Sequence, residues 1–197
     1  VCMKAKEGVL DILNKVLVSE LTAVHQYLLH AALCKHWGYG RLHEHFNHLA
    51  QEEVSHSSGL IDHILYLGGA PEMDHLDAVA AGKKVSDLLE ADLAFERDDA
   101  DVLRDGIAHC TKVADFTTRR RLEEMIVDTE EHIDWFETQL CTIKQVGLDR
   151  YLAEQIHSED QTAVLTNLAQ VLQSDQKLWT AEYRFRRADG TFAYVID

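Results

Sequence analysis

Apolar residues recur at three- and four-residue spacing along four long stretches of the chain, the mark of amphipathic helices. The first stretch runs from about Glu7 to Trp37, with Val9, Ile12, Leu13, Val16, Leu17, Leu21, Val24 and Leu28 on one face. Gly38-Tyr39-Gly40 stops it, and a second helix is predicted from about Arg41 to Leu67, ended by Gly68-Gly69. So short a break makes these two helices antiparallel neighbours. The segment from Gly68 to about Lys84 is too long for a tight turn and is expected to cross the length of a bundle, leaving helices two and three parallel. A third helix is predicted over about Val85–Ala114, a fourth over Asp115–Val146, and a short fifth after Gly147 through Leu148, Tyr151, Leu152 and Ile156. The fold class is therefore all-α: a four-helix bundle with one long crossover and a short fifth helix.

The tail after about residue 158 changes character. Val164, Leu165, Leu168, Val171 and Leu172 predict one more amphipathic helix. Tyr183-Arg184-Phe185 and Phe192-Ala193-Tyr194-Val195-Ile196 then flank Ala188-Asp189-Gly190-Thr191, and Asp-Gly between such runs signals a β-hairpin. The expected organisation is a bundle over 1–158 and a C-terminal extension over 159–197.

Composition sharpens this picture. Pro71 is the single proline among 197 residues, which suits long uninterrupted helices. No run of about 18 apolar residues suggests a membrane span, and no signal-like start precedes the first helix. A net charge of −15 argues against nucleic acid as partner, since phosphate binding needs clustered Lys and Arg. Cys2, Cys34, Cys110 and Cys141 form no Cys-x-x-Cys pair. A reducing, cytoplasmic setting fits them, and Cys34, Cys110 and Cys141 are expected to be buried thiols.

The chemistry lies in polar residues that interrupt apolar faces. Glu20 sits among Leu17, Leu21 and Val24; Glu53 and His56 interrupt the face of Leu49, Leu60 and Ile64. Glu96 follows Leu89 and Leu93, and His132 lies between Met125 and Phe136 at helical spacing. A Glu-x-x-His step sets its two side chains about 60° apart on one helix face. Any one of these residues alone reads as a peripheral glutamate or a satisfied core histidine. Four helices each offering one reverse that reading, because a buried carboxylate needs a partner or a metal. Carboxylates with one or two imidazoles suit iron or manganese better than zinc, and bridging glutamates hold two metals about 3.5–4 Å apart. Tyr27, two turns beyond Glu20, is placed either to hydrogen-bond this cluster or to fill the core.

Several motifs then carry a resemblance. Ser19-Glu20-Leu21-Thr22-Ala23-Val24-His25-Gln26-Tyr27, Glu52-Glu53-Val54-Ser55-His56, Glu90-Ala91-Asp92-Leu93-Ala94-Phe95-Glu96, Glu131-His132-Ile133-Asp134-Trp135 and Gly147-Leu148-Asp149-Arg150-Tyr151-Leu152 resemble bacterioferritin, in order, over residues 4 to about 157. The resemblance implies a ferritin-like bundle assembling into a cage of about twenty-four subunits that oxidises ferrous iron at an internal di-iron centre and stores ferric mineral. It implies Glu20, Glu53, His56, Glu96 and His132 as ligands: Glu53 and Glu96 bridging, Glu20 and His56 terminal on one iron, His132 on the other. His48 and Glu52 resemble the family's inner-surface iron site, although His48 also reads as a solvated histidine.

Two positions depart from the family. Val54 stands where the family has its haem-ligating methionine directly after the second-helix glutamate, so haem is not expected. Thr129 stands three before His132, where a second Glu-x-x-His would place a carboxylate. Asp128, about 40° from His132's direction but shorter in reach, and Glu130, about 200° away unless a π-bulge rotates it inward, are the candidates to supply the missing carboxylate to the metal. The expected activity is therefore a ferroxidase with an incomplete fourth-helix ligand set. The rival expectation is a weakened structural or nucleating subunit, assembling with a second, more complete bacterioferritin subunit. A rubrerythrin-like peroxidase is disfavoured by the lack of Cys-x-x-Cys pairs. The last nineteen residues resemble late strands of a PAS domain, too little of that fold to imply sensing.

Overall fold

A computed structural model describes residues 4–156, 182–186 and 192–196. The helices among them are α1 (Val9–His36), α2 (Gly40–Tyr66), α3 (Val85–Lys112), α4 (Phe116–Val146) and α5 (Leu148–Gln155). All five match the sequence expectation to within a turn at each end. Three of the long helices end at the predicted glycines, Gly38, Gly68 and Gly147, each with positive φ. The α3 terminus has no glycine to use. There Ala114 takes the left-handed conformation (φ 56°), at a cost of roughly 1–2 kcal/mol for a residue with a Cβ. Hydrogen bonds offset it: the Asp115 amide donates to Cys110 O (2.8 Å), and the Asp115 carboxylate then caps α4 by accepting from the Thr118 amide (3.0 Å).

Cross-helix contacts set the directions. Along α1, His43 reaches Ala31 and His56 reaches Glu20, so α2 runs antiparallel to it. His30 meets Asp92, Tyr27 meets Glu96 and Ser19 meets Asp99, so α3 does too. Helices α2 and α3 are therefore parallel, as the long crossover predicts. His56–Asp128 and His63–Thr118 run α4 antiparallel to α2.

The crossover is bound by a polar stripe on α1 that periodicity alone did not single out. Asn14 donates to Ala70 O (3.2 Å) and accepts from the Glu72 amide (3.0 Å). Thr22 accepts from the Asp77 amide, Gln26 accepts from the Ala80 amide, and His30 Nε2 donates to Ala80 O. Asn14, Thr22, Gln26 and His30 are all buried, so these bonds satisfy groups on both partners that would otherwise be desolvated and unpaired.

Two apolar clusters fill the bundle. One gathers Tyr27, Phe46, Leu88, Leu89 and Phe136, with Tyr151 of α5 against it. The other gathers Leu13, Leu17, Leu60, Ile64, Leu103 and Leu122. Between their positions along the helices lies a layer of buried carboxylates and imidazoles. Among the described residues no helix is long and apolar enough to cross a membrane. Cys34 and Cys110 are buried as expected; Cys141 is exposed, a correction, because it lies on the outer side of α4. In the tail, β1 (Glu182–Arg186) pairs antiparallel with β2 (Phe192–Ile196), Glu182 opposite Ile196 and Arg186 opposite Phe192. The predicted Asp189-Gly190 turn and the predicted helix around Val164–Leu172 lie outside the described residues.

Candidate metal centre

Glu20, Glu53, Glu96 and His132 are each buried, at 2–6% exposure, and converge from all four long helices. Two ligand sets form, each with its donor atoms within 4.8 Å of one another: Glu20, Glu53 and His56, and Glu53, Glu96 and His132. Glu53 belongs to both. His56 Nδ1 lies 2.9 Å from Glu53 Oε2 and 3.2 Å from Glu20 Oε2. His132 Nδ1 lies 3.3 Å from both Glu53 Oε1 and Glu96 Oε1. The Tyr27 hydroxyl donates to Glu96 Oε1, and its ring stacks between Phe46 and Phe136. Both readings of Tyr27, cluster partner and core residue, are thus realised at once.

Each imidazole turns its other nitrogen outward to an acid. His56 Nε2 lies 3.1 Å from Asp128 Oδ2, and His132 Nε2 lies 3.5 Å from Glu52 Oε2. Asp128 and Glu52, taken from the sequence as metal residues, stand behind the histidines here, where such acids fix ring orientation and raise basicity. His48 Nε2 sits 3.8 Å from Glu52 and is largely exposed, so it joins neither buried set. A pocket of about 160 Å³ bounded by Ser55, Gly59, Arg121, Glu124, Met125 and Asp128 opens beside His56 on the α2–α4 side.

The fourth helix is an uninterrupted α-helix, with no π-bulge to rotate Glu130 inward. Glu130 instead pairs with Arg104 at 3.0 Å on the outer surface. The buried position belongs to Thr129, whose hydroxyl donates to Met125 O (3.1 Å).

Crowded carboxylates and imidazoles share protons. Burial works against charge on His132, yet its hydrogen bonds to Glu53 and Glu96 outweigh it and push the imidazole up to about 10. Burial likewise opposes charge on His56, but Glu53 and Asp128 raise it to about 9. Glu53 is held well below the usual carboxylate range, because hydrogen bonds from His132, His56 and Glu20 overcome its burial. Glu20 is raised well above that range by burial and by the charge of Glu53. Glu96 is raised too, chiefly by burial, with His132 opposing.

Sequence reading missed a further acid. Asp99, three residues after Glu96 on α3, is 5% exposed, accepts from Ser19 and leaves its buried Oδ1 without a partner. Burial, with the charges of Glu96 and Glu53, pushes it up to about 7. Its signal was available: Asp92, Glu96 and Asp99 fall at i+4 and i+3 steps among Leu88, Leu89, Leu93, Ala100 and Leu103, all buried.

Hard oxygen donors around a shared glutamate, with one imidazole at each end, fit a pair of ferrous ions. The family model for a ferritin-like domain matches residues 10–146. The chain belongs to the ferritin-like family. It is similar to a bacterial ferritin of Pseudomonas aeruginosa, 41% identical over 155 residues that span 78% of this chain and 100% of that protein. A bacterial ferritin of Synechocystis is 37% identical over 78% of this chain and 99% of its own length. A bacterioferritin of Mycobacterium leprae is 37% identical over 77% and 96%. A PAS-fold model matches residues 148–197. Its first residues coincide with α5, which packs on the ferritin-like bundle: Tyr151 is buried and donates to Gln139 (3.0 Å), and Arg41 donates to Glu154 O.

Proposed function

We propose that this chain is an iron-storage subunit that oxidises ferrous iron at the α1–α4 centre and passes it to a mineral held inside a cage of about twenty-four subunits. The observation that carries this reading is the pair of ligand sets sharing Glu53. Ferrous iron is the substrate: two ions each give up one electron, and one molecule of oxygen or peroxide takes both. Glu53 and Glu96 would bridge the two ions, with Glu20 and His56 holding one and His132 the other. Asp128 and Glu52 keep the two imidazoles oriented, and Tyr27 fixes the Glu96 carboxylate.

The protein's own groups handle protons. His56 and His132 would give up their inner Nδ1 protons on metal binding, while each Nε2–H stays directed at its outer acid, Asp128 or Glu52, which fixes the ring. Val54 supplies no lone pair for haem, so the iron chemistry runs without a haem ligand from this residue. We assign residues 1–158 to the iron-handling domain, and the proposed setting is a reducing cytoplasm in which Cys34 and Cys110 stay as thiols.

The deciding experiment is anaerobic loading of the purified, metal-free assembly with ferrous iron, followed by oxygen or peroxide. Rapid oxidation of two irons per chain, abolished by Glu53→Gln, is expected. No rapid phase in the wild-type chain would replace this reading with a structural or nucleating subunit.

A further inference from the structure

The inward-facing donors of the centre are short of negative charge. Thr129 offers a hydroxyl turned to Met125 O, and Glu130 is engaged by Arg104 outside. Among the inward donors, Glu20, Glu53 and Glu96 set three charges against the four of two divalent cations, because an imidazole must be neutral to ligate; Asp128 and Glu52 lie behind the imidazoles. A buried site with uncompensated charge is strongly disfavoured.

Asp99 lies within electrostatic reach of this layer, outside the two ligand sets. One helical step of three residues from Glu96 places it about 60° around α3 and about 4.5 Å along it. Its carboxylate is held by Ser19, the residue directly before Glu20, and interacts electrostatically with Glu20, Glu53, Glu96 and His56. Its buried Oδ1 has no partner. A buried carboxylate oxygen with no donor is costly, and an asparagine would hold Ser19 equally well without the charge. A cation arriving at the centre would supply the partner that Oδ1 lacks.

Resting on the iron-centre reading, we propose that Asp99 is the fourth carboxylate of the metal-loaded centre, serving its Glu20–His56 end and restoring the charge balance that Thr129 removes. The loss on α4 and the extra acid on α3 are then one exchange, which moves a carboxylate across the bundle.

Anaerobic cobalt(II) titration of the metal-free, full-length protein tests this by calorimetry and visible absorption, with thermal unfolding of the metal-free form alongside. Wild type is expected to bind two cobalt ions per chain. Asp99→Asn is expected to weaken at least one of them tenfold or more, and to raise the metal-free melting temperature by removing a buried, poorly paired acid. Adding Thr129→Glu to Asp99→Asn should recover the lost affinity. Thr129→Glu alone, which brings a fifth carboxylate, should lower the metal-free melting temperature without tightening cobalt; it serves as an independent arm if Asp99→Asn does not fold. Asp99→Asn with wild-type affinity and stoichiometry overturns the proposal and leaves the iron centre standing. So does a tenfold gain from Thr129→Glu alone. A wild-type protein that binds no cobalt overturns both.

Discussion

Filling the metal-free centre at pH 7 should expel at least two protons per chain. With His132 raised to about 10 and His56 to about 9, both imidazoles are cationic at neutral pH and have no lone pair to offer. Binding must drive them through roughly three and two pH units, together about 7 kcal/mol drawn from the joint affinity for two ions. Both side chains are mostly buried, so solvent screening removes little of this. Glu20, raised and hydrogen-bonded to Glu53, adds a third proton if it is protonated in the metal-free state. The joint binding constant should therefore rise about 100-fold per pH unit up to about pH 9, and about tenfold per unit from there to pH 10. Zinc(II) calorimetry at pH 7 in buffers of differing ionisation enthalpy reads the proton count directly from the slope. A release of fewer than one proton per chain would refute the reasoning. The same shifts fix the sign of metal-free stability. A histidine raised above its unfolded value stabilises the fold fully below about pH 6.5, and that contribution is lost as pH rises through about 9 to 10. Metal-free melting temperature should fall across that window and hold steadier in His132→Gln.

Three further outcomes follow from particular contacts. Asp128→Asn leaves His56 with a weaker outer partner, so zinc affinity should fall about 10- to 100-fold with stoichiometry unchanged, measured by competition with a chelator. Phe136→Ala empties the centre of the Tyr27–Phe46–Trp135 cluster and should cost about 3–5 kcal/mol, read from urea unfolding at pH 6.5. Asn14→Ala removes both bonds that start the crossover along α1; a loss of about 1–3 kcal/mol is expected, with faster hydrogen exchange at the Glu72 amide than at Asp77.

What the chain determined by itself was everything that depends on local periodicity. Spacing of Leu13, Val16, Leu17 and Val24 marks α1, and Gly38, Gly68 and Gly147 mark where helices stop, because each effect is settled within a turn or two. Glu53 and His56 are legible as a pair for the same reason: one helix fixes their relative direction. Thr129's place on His132's face, and Glu130's outward direction, also follow from helical geometry alone.

What only the tertiary structure decided was how separate helices rotate and slide against one another. That set Asp128 and Glu52 behind the imidazoles rather than among the inward donors, sent Glu130 to Arg104, and gave the crossover its anchors at Asn14, Thr22 and Gln26. It also brought Asp99 into hydrogen-bond contact with Ser19 and within electrostatic reach of Glu20. An acid on an apolar helix face can be a flaw, a structural hydrogen-bond partner or a ligand, and the sequence holds no distance with which to choose. Convergence of charge is a property of four helices together, and packing is what produces it.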